Sequence, residues 1–204
     1  MSFDQEALNW DNEMRVNRAK AVAEKIKSTL DKTHYNKALE FGCGTGLISF
    51  NLLDLFDQMI LHDISEGMLD VVKKKTKMYS VDKITCSSVD LLTDMNPEIR
   101  DVDVIYSSLV LHHIEDTKGV LHKLHETLNK GGELCFVDIN EDNGRFHLKY
   151  PDYDGHNGFN HETLKMNLES VGFKNVQIET FYNGVKEHNG DRIEYSMFIA
   201  KGTK

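Results

Sequence analysis

The stretch Lys37-Ala38-Leu39-Glu40-Phe41-Gly42-Cys43-Gly44-Thr45-Gly46-Leu47 constrains this chain more than any other. A short apolar run ends at Glu40-Phe41, three glycines follow at alternate positions, and a second apolar run begins at Leu47. That is the pattern of a buried strand, a tight turn and the start of a helix. Glycine admits positive φ and lets a ligand approach the main chain. A dinucleotide site uses G-x-G-x-x-G, with its pyrophosphate on the helix N-terminus. Here the spacing is G-x-G-x-G and the strand ends in a carboxylate, Glu40. An acid repels a pyrophosphate and attracts a cation. The turn therefore reads as a site for a nucleoside ligand carrying positive charge.

Ahead of this turn, Val16, Ala19, Ala23, Ile26 and Leu30 line one face of an amphipathic helix, preceded by Trp10-Asp11. After it, Leu47, Ile48, Phe50, Leu52, Leu53, Leu55 and Phe56 leave little polar face and predict a helix buried against the sheet. Met59-Ile60-Leu61-His62-Asp63 is a strand ending in an acid, and Asp63 lies 63 − 46 = 17 residues past the last glycine. A carboxylate at that distance, on the tip of the adjacent strand, can accept both ribose hydroxyls. Ser65 caps the next helix, with Met68, Leu69 and Val72 facing inward. Strands are expected over Lys83–Val89 and Val102–Ser108, joined by a polar connection with Pro97. Asp116 caps a helix that stops at Asn129–Gly132, and a fifth strand spans Glu133–Ile139. A last helix ends at Gly172, and Val176–Thr180 and Ile193–Ala200 close the chain as strands around Gly184–Gly190.

The motif Glu40–Gly46 resembles the first motif of class I S-adenosylmethionine-dependent methyltransferases, and Asp63-Ile64-Ser65-Glu66-Gly67-Met68-Leu69 resembles their second. The sequence Leu109-Val110-Leu111-His112-His113-Ile114 is also typical of the family, and the resemblance covers nearly the whole chain. Within the family it is similar to small, stand-alone members of the ubiquinone- and menaquinone-methyltransferase-like group. The resemblance implies S-adenosyl-L-methionine as cofactor, whose sulfonium and ammonium fit the electrostatic reading of the turn. It implies a Rossmann-like three-layer α/β sandwich with a seven-stranded, mostly parallel sheet in the order 3-2-1-4-5-7-6, the last strand antiparallel. It places Glu40, Gly42, Cys43, Gly44 and Gly46 at the cofactor, with Asp63 on the ribose. Ile64 and Met68 then flank the adenine, Asp90 and Leu91 stand at its amine edge, Ser107 lies at the end of the fourth strand, and Trp10 lies over the amino acid end. For Asp90 a helix or turn cap is an equal reading of the residues alone.

The chain's 204 residues suit one domain, 1–204, with residues 1–35 as a helical cap and 140–160 as a lid loop over the acceptor. That loop is too long for a plain connection and rich in rings and histidines: Phe146, His147, Tyr150, Tyr153, His156 and Phe159, with Pro151 among them. His113, His147 and His156 are the candidates for the substrate pocket, and no catalytic base stands out among them. The net charge of −9 argues against a nucleic-acid partner, and the Lys73–Lys77 run reads as a solvated face. No apolar run reaches membrane-spanning length, and three scattered cysteines read as reduced thiols of a cytoplasmic protein. The segment after the fourth strand, Ser107-Ser108-Leu109-Val110, lacks the tetrad of base N-methylation and the acid of metal-holding catechol enzymes. The cluster Asp138–Asn143 lacks the glycine and the closing acid of a calcium loop, so no metal is expected. A small-molecule methyl acceptor is the expected partner, and an S-adenosylmethionine-binding protein without transferase activity is the alternative.

Overall fold

The computed structural model describes residues 3–91, 99–150 and 152–204, so Pro97 and Pro151 lie outside the described residues. Seven strands form one sheet in the order 3-2-1-4-5-7-6. They are β1 (Tyr35–Phe41), β2 (Phe56–His62), β3 (Ile84–Ser87), β4 (Val102–Ser108), β5 (Leu128–Ile139), β6 (Lys174–His188) and β7 (Asp191–Thr203). Neighbours from β3 through β5 pair in parallel, and β7 runs antiparallel to both β5 and β6. The expected topology is the observed one.

Side-chain alternation along the strands explains why both faces are covered. Ala38, Met59, Leu61, Val104 and Tyr106 enter one core together with Ala19, Val22, Ala23 and Ile26. Leu39, Ile60, Ile105, Leu134 and Phe136 enter the other, with Leu121, Leu124, Leu164 and Leu168. The helices are α1 (Phe3–Glu6), α2 (Glu13–Thr29), α3 (Glu66–Met78), α4 (Thr117–Thr127) and α5 (His161–Ser170). Asn12, Ser65, Asp116 and Asn160 cap the last four, each accepting from a backbone N–H in the first turn. Each cap is worth about 1 kcal/mol.

Three local expectations are corrected. The run after the glycine turn is not a helix: it makes 3-10 turns at Ser49–Asn51 and Leu53–Leu55 and enters β2 at Phe56. Apolar periodicity cannot separate a short buried helix from buried turns feeding a strand. Strand β5 begins at Leu128, so Asn129–Gly132 lie inside it, beyond an irregularity in its pairing with β4. Gly131 and Gly132 there bond to Lys204, which gives the glycines a strand role instead of a helix stop. The closing strands are far longer than expected, because the turn is only Asn189-Gly190, with φ of 52° and 86°. Such a two-residue turn matches the twist of its strands. Gly184 belongs to β6, where a Cβ would stand 2.3 Å from the Tyr195 ring.

Candidate active site

The floor of the site is the glycine turn at the C-terminal ends of β1, β2 and β4. Gly42, Gly44 and Gly46 all take positive φ, of 70°, 51° and 78°. A Cβ on Gly42 would lie 2.3 Å from Val110 Cγ2, so that position also demands close approach. The turn's amides are engaged within the chain: Cys43 donates to the His62 carbonyl at 2.8 Å, Gly46 to the Cys43 carbonyl at 2.9 Å, and Gly44 to Asp63 Oδ2 at 2.7 Å. Three of its donors are thus occupied, and only 3-10 turns follow, so the turn lacks the long helix that a pyrophosphate uses. What it presents instead is acid.

Asp63 stands at the tip of β2, its other oxygen accepting from Ser65 N–H at 2.9 Å. The structure places Glu40 differently from expectation. Its carboxyl is only 2% exposed and accepts from the Ser49 hydroxyl, which in turn contacts Tyr106 Oη at 2.6 Å. Burial pushes it up to about 8, which favours the neutral acid at pH 7. The acid at the surface of the turn is therefore Asp63, since Asp11 is paired with Lys75. Cys43 is buried and its thiol is pushed well up by burial, which leaves it a packing group.

The remaining cofactor candidates gather around this floor in unequal ways. Ile64 is 72% exposed beside Asp63, whereas Met68 is 1% exposed and enclosed. Leu91 is buried after β3, and Asp90 beside it is exposed. The Ser107 hydroxyl donates to the Phe41 carbonyl at 2.6 Å and ties the ends of β1 and β4 together. Leu109, immediately after β4, holds φ of 59°, an uncommon conformation for a bulky residue and one that clusters at functional sites.

The N-terminal segment crosses over the floor. Trp10 lies above Gly44, whose Cβ direction points at its Nε1 3.8 Å away. Asp11 accepts from the Thr45 hydroxyl at 2.5 Å and pairs with Lys75 Nζ at 2.6 Å, while Lys75 donates to the Thr45 carbonyl at 2.8 Å. Asp4 accepts from the Ser65 hydroxyl and from Gly67 N–H at the start of α3, and these bonds hold its carboxyl below the usual range. Lys75 thus corrects the reading of its run as a wholly solvated face. It falls three residues past the inward Val72, and that spacing was the signal.

Segment 140–160 supplies the opposite wall. Its ends are joined through the Asn140–Phe159 bridge and the Asp142 N–H to Asn157 carbonyl bond. Its middle is fastened to the His112 carbonyl by His156 N–H at 2.8 Å and by Tyr153 Oη at 2.7 Å. His156 also bonds the Ile114 carbonyl through its ring, so it anchors the segment. His147 is buried, stacks on Tyr153 at 3.6 Å and keeps an unpartnered Nδ1. His113, after β4, packs edge-on to Phe3, which in turn meets Trp10, and edge-on to His147 and Tyr153, so it bridges the two walls. Burial first, and neighbouring His112 next, lowers both His113 and His147 to about 4. At their centre, Asp138 at the end of β5 accepts from the His112 ring at 2.6 Å and from its N–H at 3.2 Å. No spacing or motif links these two residues, 26 apart in the chain.

The cluster Asp138–Asn143 is dispersed among structural tasks. Asp142 accepts from Gly144 and Phe146 N–H, and Asn140 bonds Thr180, Ser196 and His161. Among the described residues no three metal-ligating side chains converge.

Known proteins with this arrangement agree on its family. Residues 39–134, from β1 into β5, match the family described as Methyltransferase domain. Over those residues the chain carries a methyltransferase domain. An uncharacterized methyltransferase of Schizosaccharomyces pombe is 29% identical over 153 residues, 69% of this chain and 54% of that protein. A malonyl-[acyl-carrier protein] O-methyltransferase of Ilyobacter polytropus is 30% identical over 137 residues, 66% of this chain and 49% of the relative. The chain thus spans about half the length of these relatives. In fold it is similar to the N-methyltransferase NodS of Bradyrhizobium japonicum, solved with S-adenosyl-L-homocysteine, with a TM-score of 0.69 at 15% identity, covering 100% of this chain and 99% of that one. A Haloferax volcanii methyltransferase in complex with its Trm112 activator gives 0.77 at 15% identity, covering 98% and 96%. No helix among the described residues of the methyltransferase domain is long and apolar enough to cross a membrane.

Proposed function

We propose that the chain transfers a methyl group from S-adenosylmethionine to a small-molecule acceptor by in-line displacement. The observation that carries this reading is the glycine turn, with the Cys43, Gly44 and Gly46 N–H groups engaged internally and Asp63 at its surface. Asp63 and Ile64 would hold the adenosine, Trp10 and the Gly44 backbone the amino acid end, and Asp90 with Leu91 the adenine edge. When bound, the cofactor supplies a carbon already activated by its sulfonium, so the protein's work is alignment and exclusion of water. The N-terminal segment and the 140–160 segment do both, and the latter acts as a lid. His113 and His147 are neutral at pH 7 but weak bases, because both lie near 4. The site therefore suits an acceptor atom that already carries a free lone pair at neutral pH.

A coupled S-adenosylhomocysteine-release screen over quinol, phenol, amine and carboxylate pools tests this. At least one pool is expected to be turned over, with equal rates before and after exhaustive chelation. Binding of S-adenosylmethionine with no release from any pool would make the chain a binding protein instead.

A further inference from the structure

Between α2, the lid segment and the β6–β7 hairpin, cations meet rings without meeting acids. Arg18 Nη1 reaches Tyr195 Oη at 3.5 Å, and the Tyr195 ring packs edge-on against Phe146, centroids 5.0 Å apart. Lys186 on β6 lies 3.7 Å from the Phe146 ring centroid and donates to the Phe146 carbonyl. Lys149 lies close enough to Lys186 to repel its charge, as Arg18 does. Among the described residues, none of Arg18, Lys149 and Lys186 forms an ion pair. Asp142 attracts Lys186 from a distance, but both its oxygens accept from backbone N–H groups of its own turn.

This is an unusual place for unpaired cations in a chain of net charge −9. A half-buried ammonium without a counter-ion is costly, and burial lowers Lys186 to about 8. The cluster also adjoins the site already described. Phe146 and His147 are consecutive, His147 lies 5.1 Å from His112 between ring centroids, and Arg15, one turn before Arg18, stacks on Trp10. Cations resting on rings at the edge of the site suit a molecule that is apolar in part and negative at one end.

We propose that the methyl acceptor carries an anionic group, a carboxylate or a phosphate monoester, held by Arg18 and Lys186 against the Phe146 and Tyr195 rings. This rests on the methyltransferase reading and narrows its substrate class. The anion replaces the missing counter-ion of Lys186, and the guanidinium of Arg18 offers paired donors to its oxygens.

Calorimetric titration of the S-adenosylhomocysteine-loaded protein with phenylacetate, phenyl phosphate and neutral phenylacetamide tests the proposal, and the two anions tell carboxylate from phosphate. One anion is expected to bind at least about 10-fold more tightly than the amide. Arg18→Gln and Lys186→Gln are each expected to weaken that anion by about 10-fold or more. Both should leave S-adenosylhomocysteine affinity within about 2-fold, since they lie away from the glycine turn. Arg18→Gln, on a helix surface, keeps the test open if Lys186→Gln fails to fold. An amide that binds as well as both anions, or anion binding indifferent to the substitutions, overturns the proposal while the cofactor reading stands. Failure of S-adenosylhomocysteine to bind the unaltered protein at the first step overturns both.

Discussion

The floor and the rim of this site are built on opposite principles. The floor is local in sequence: the glycine turn, Asp63 and Ser65 are close along the chain, and their polar groups satisfy one another. The rim joins residues from the N-terminal segment, the lid and the last hairpin, and it leaves polar groups without partners, among them His147 Nδ1 and the charge of Lys186. Unpartnered atoms occur beside the floor too, at His62 Nδ1 on β2 and Ser87 Oγ on β3, so the difference lies in how far along the chain the contacts reach. The comparison teaches that the half of the site common to a family can be self-contained, and the half that chooses the acceptor is assembled by tertiary contacts.

The largest test of that contrast is Gly42→Val. A side chain there meets both a left-handed backbone and Val110, so destabilisation of about 2–4 kcal/mol is expected in chemical denaturation. At Gly190, φ is also positive but nothing lies within 4 Å, so Gly190→Ala should cost only about 1–2 kcal/mol. Equal losses at the two positions would remove the claim that the floor is held by close packing.

Asp63→Ala is the next in size. It removes the acceptor of the Gly44 and Ser65 N–H groups as well as the proposed ribose contact. Cofactor binding should weaken by about 1.5–3 kcal/mol, or roughly 10- to 150-fold. An unchanged dissociation constant with the fold intact would move the ribose contact elsewhere.

Glu40 gives a pH signature. Its value near 8 in the folded chain lies above the ordinary 4.5, so between those limits the folded state binds the extra proton. Stability should therefore fall as pH rises through that window, by up to about 1.4 kcal/mol per unit. Glu40→Gln keeps an acceptor for Ser49 and removes the titration, so the variant should gain on the wild type as pH rises from 5 to 8. Parallel pH curves for the two proteins would mean that Glu40 is ionised where it sits.

How much was legible follows the same division. The strands, the turn and Asp63 were readable because glycine spacing and apolar runs act over short distances, whereas the strand order followed only from the family resemblance. The neutrality of Glu40 was not, since it depends on Ser49 and Tyr106 closing over the carboxyl. Lys75 was hidden in a lysine run whose members differ only in which face of α3 they occupy. The His112–Asp138 pair and the meeting of Arg18, Phe146 and Lys186 join segments remote in sequence, where no periodicity reports on contact. The helix expected after the turn failed because its residues are apolar on every side.

A smaller effect is expected in the lid. Hydrogen exchange should show Arg145–Tyr153 weakly protected in the free protein and slower to exchange with cofactor and acceptor bound, while Asn140–Asp142 stays constant through its pairing with Asn157 and Phe159. Protection equal to that of the sheet, unchanged by ligands, would make these rings simple core filling.

The account stands most directly on what the floor accepts, and titration calorimetry with S-adenosylmethionine and NAD decides it. S-adenosylmethionine should bind and, at about 100 times its dissociation constant, raise unfolding stability by roughly 2.7 kcal/mol, with no comparable effect of NAD. Tighter binding of NAD would contradict the reading of a turn whose surface acid Asp63 and missing helix disfavour a pyrophosphate.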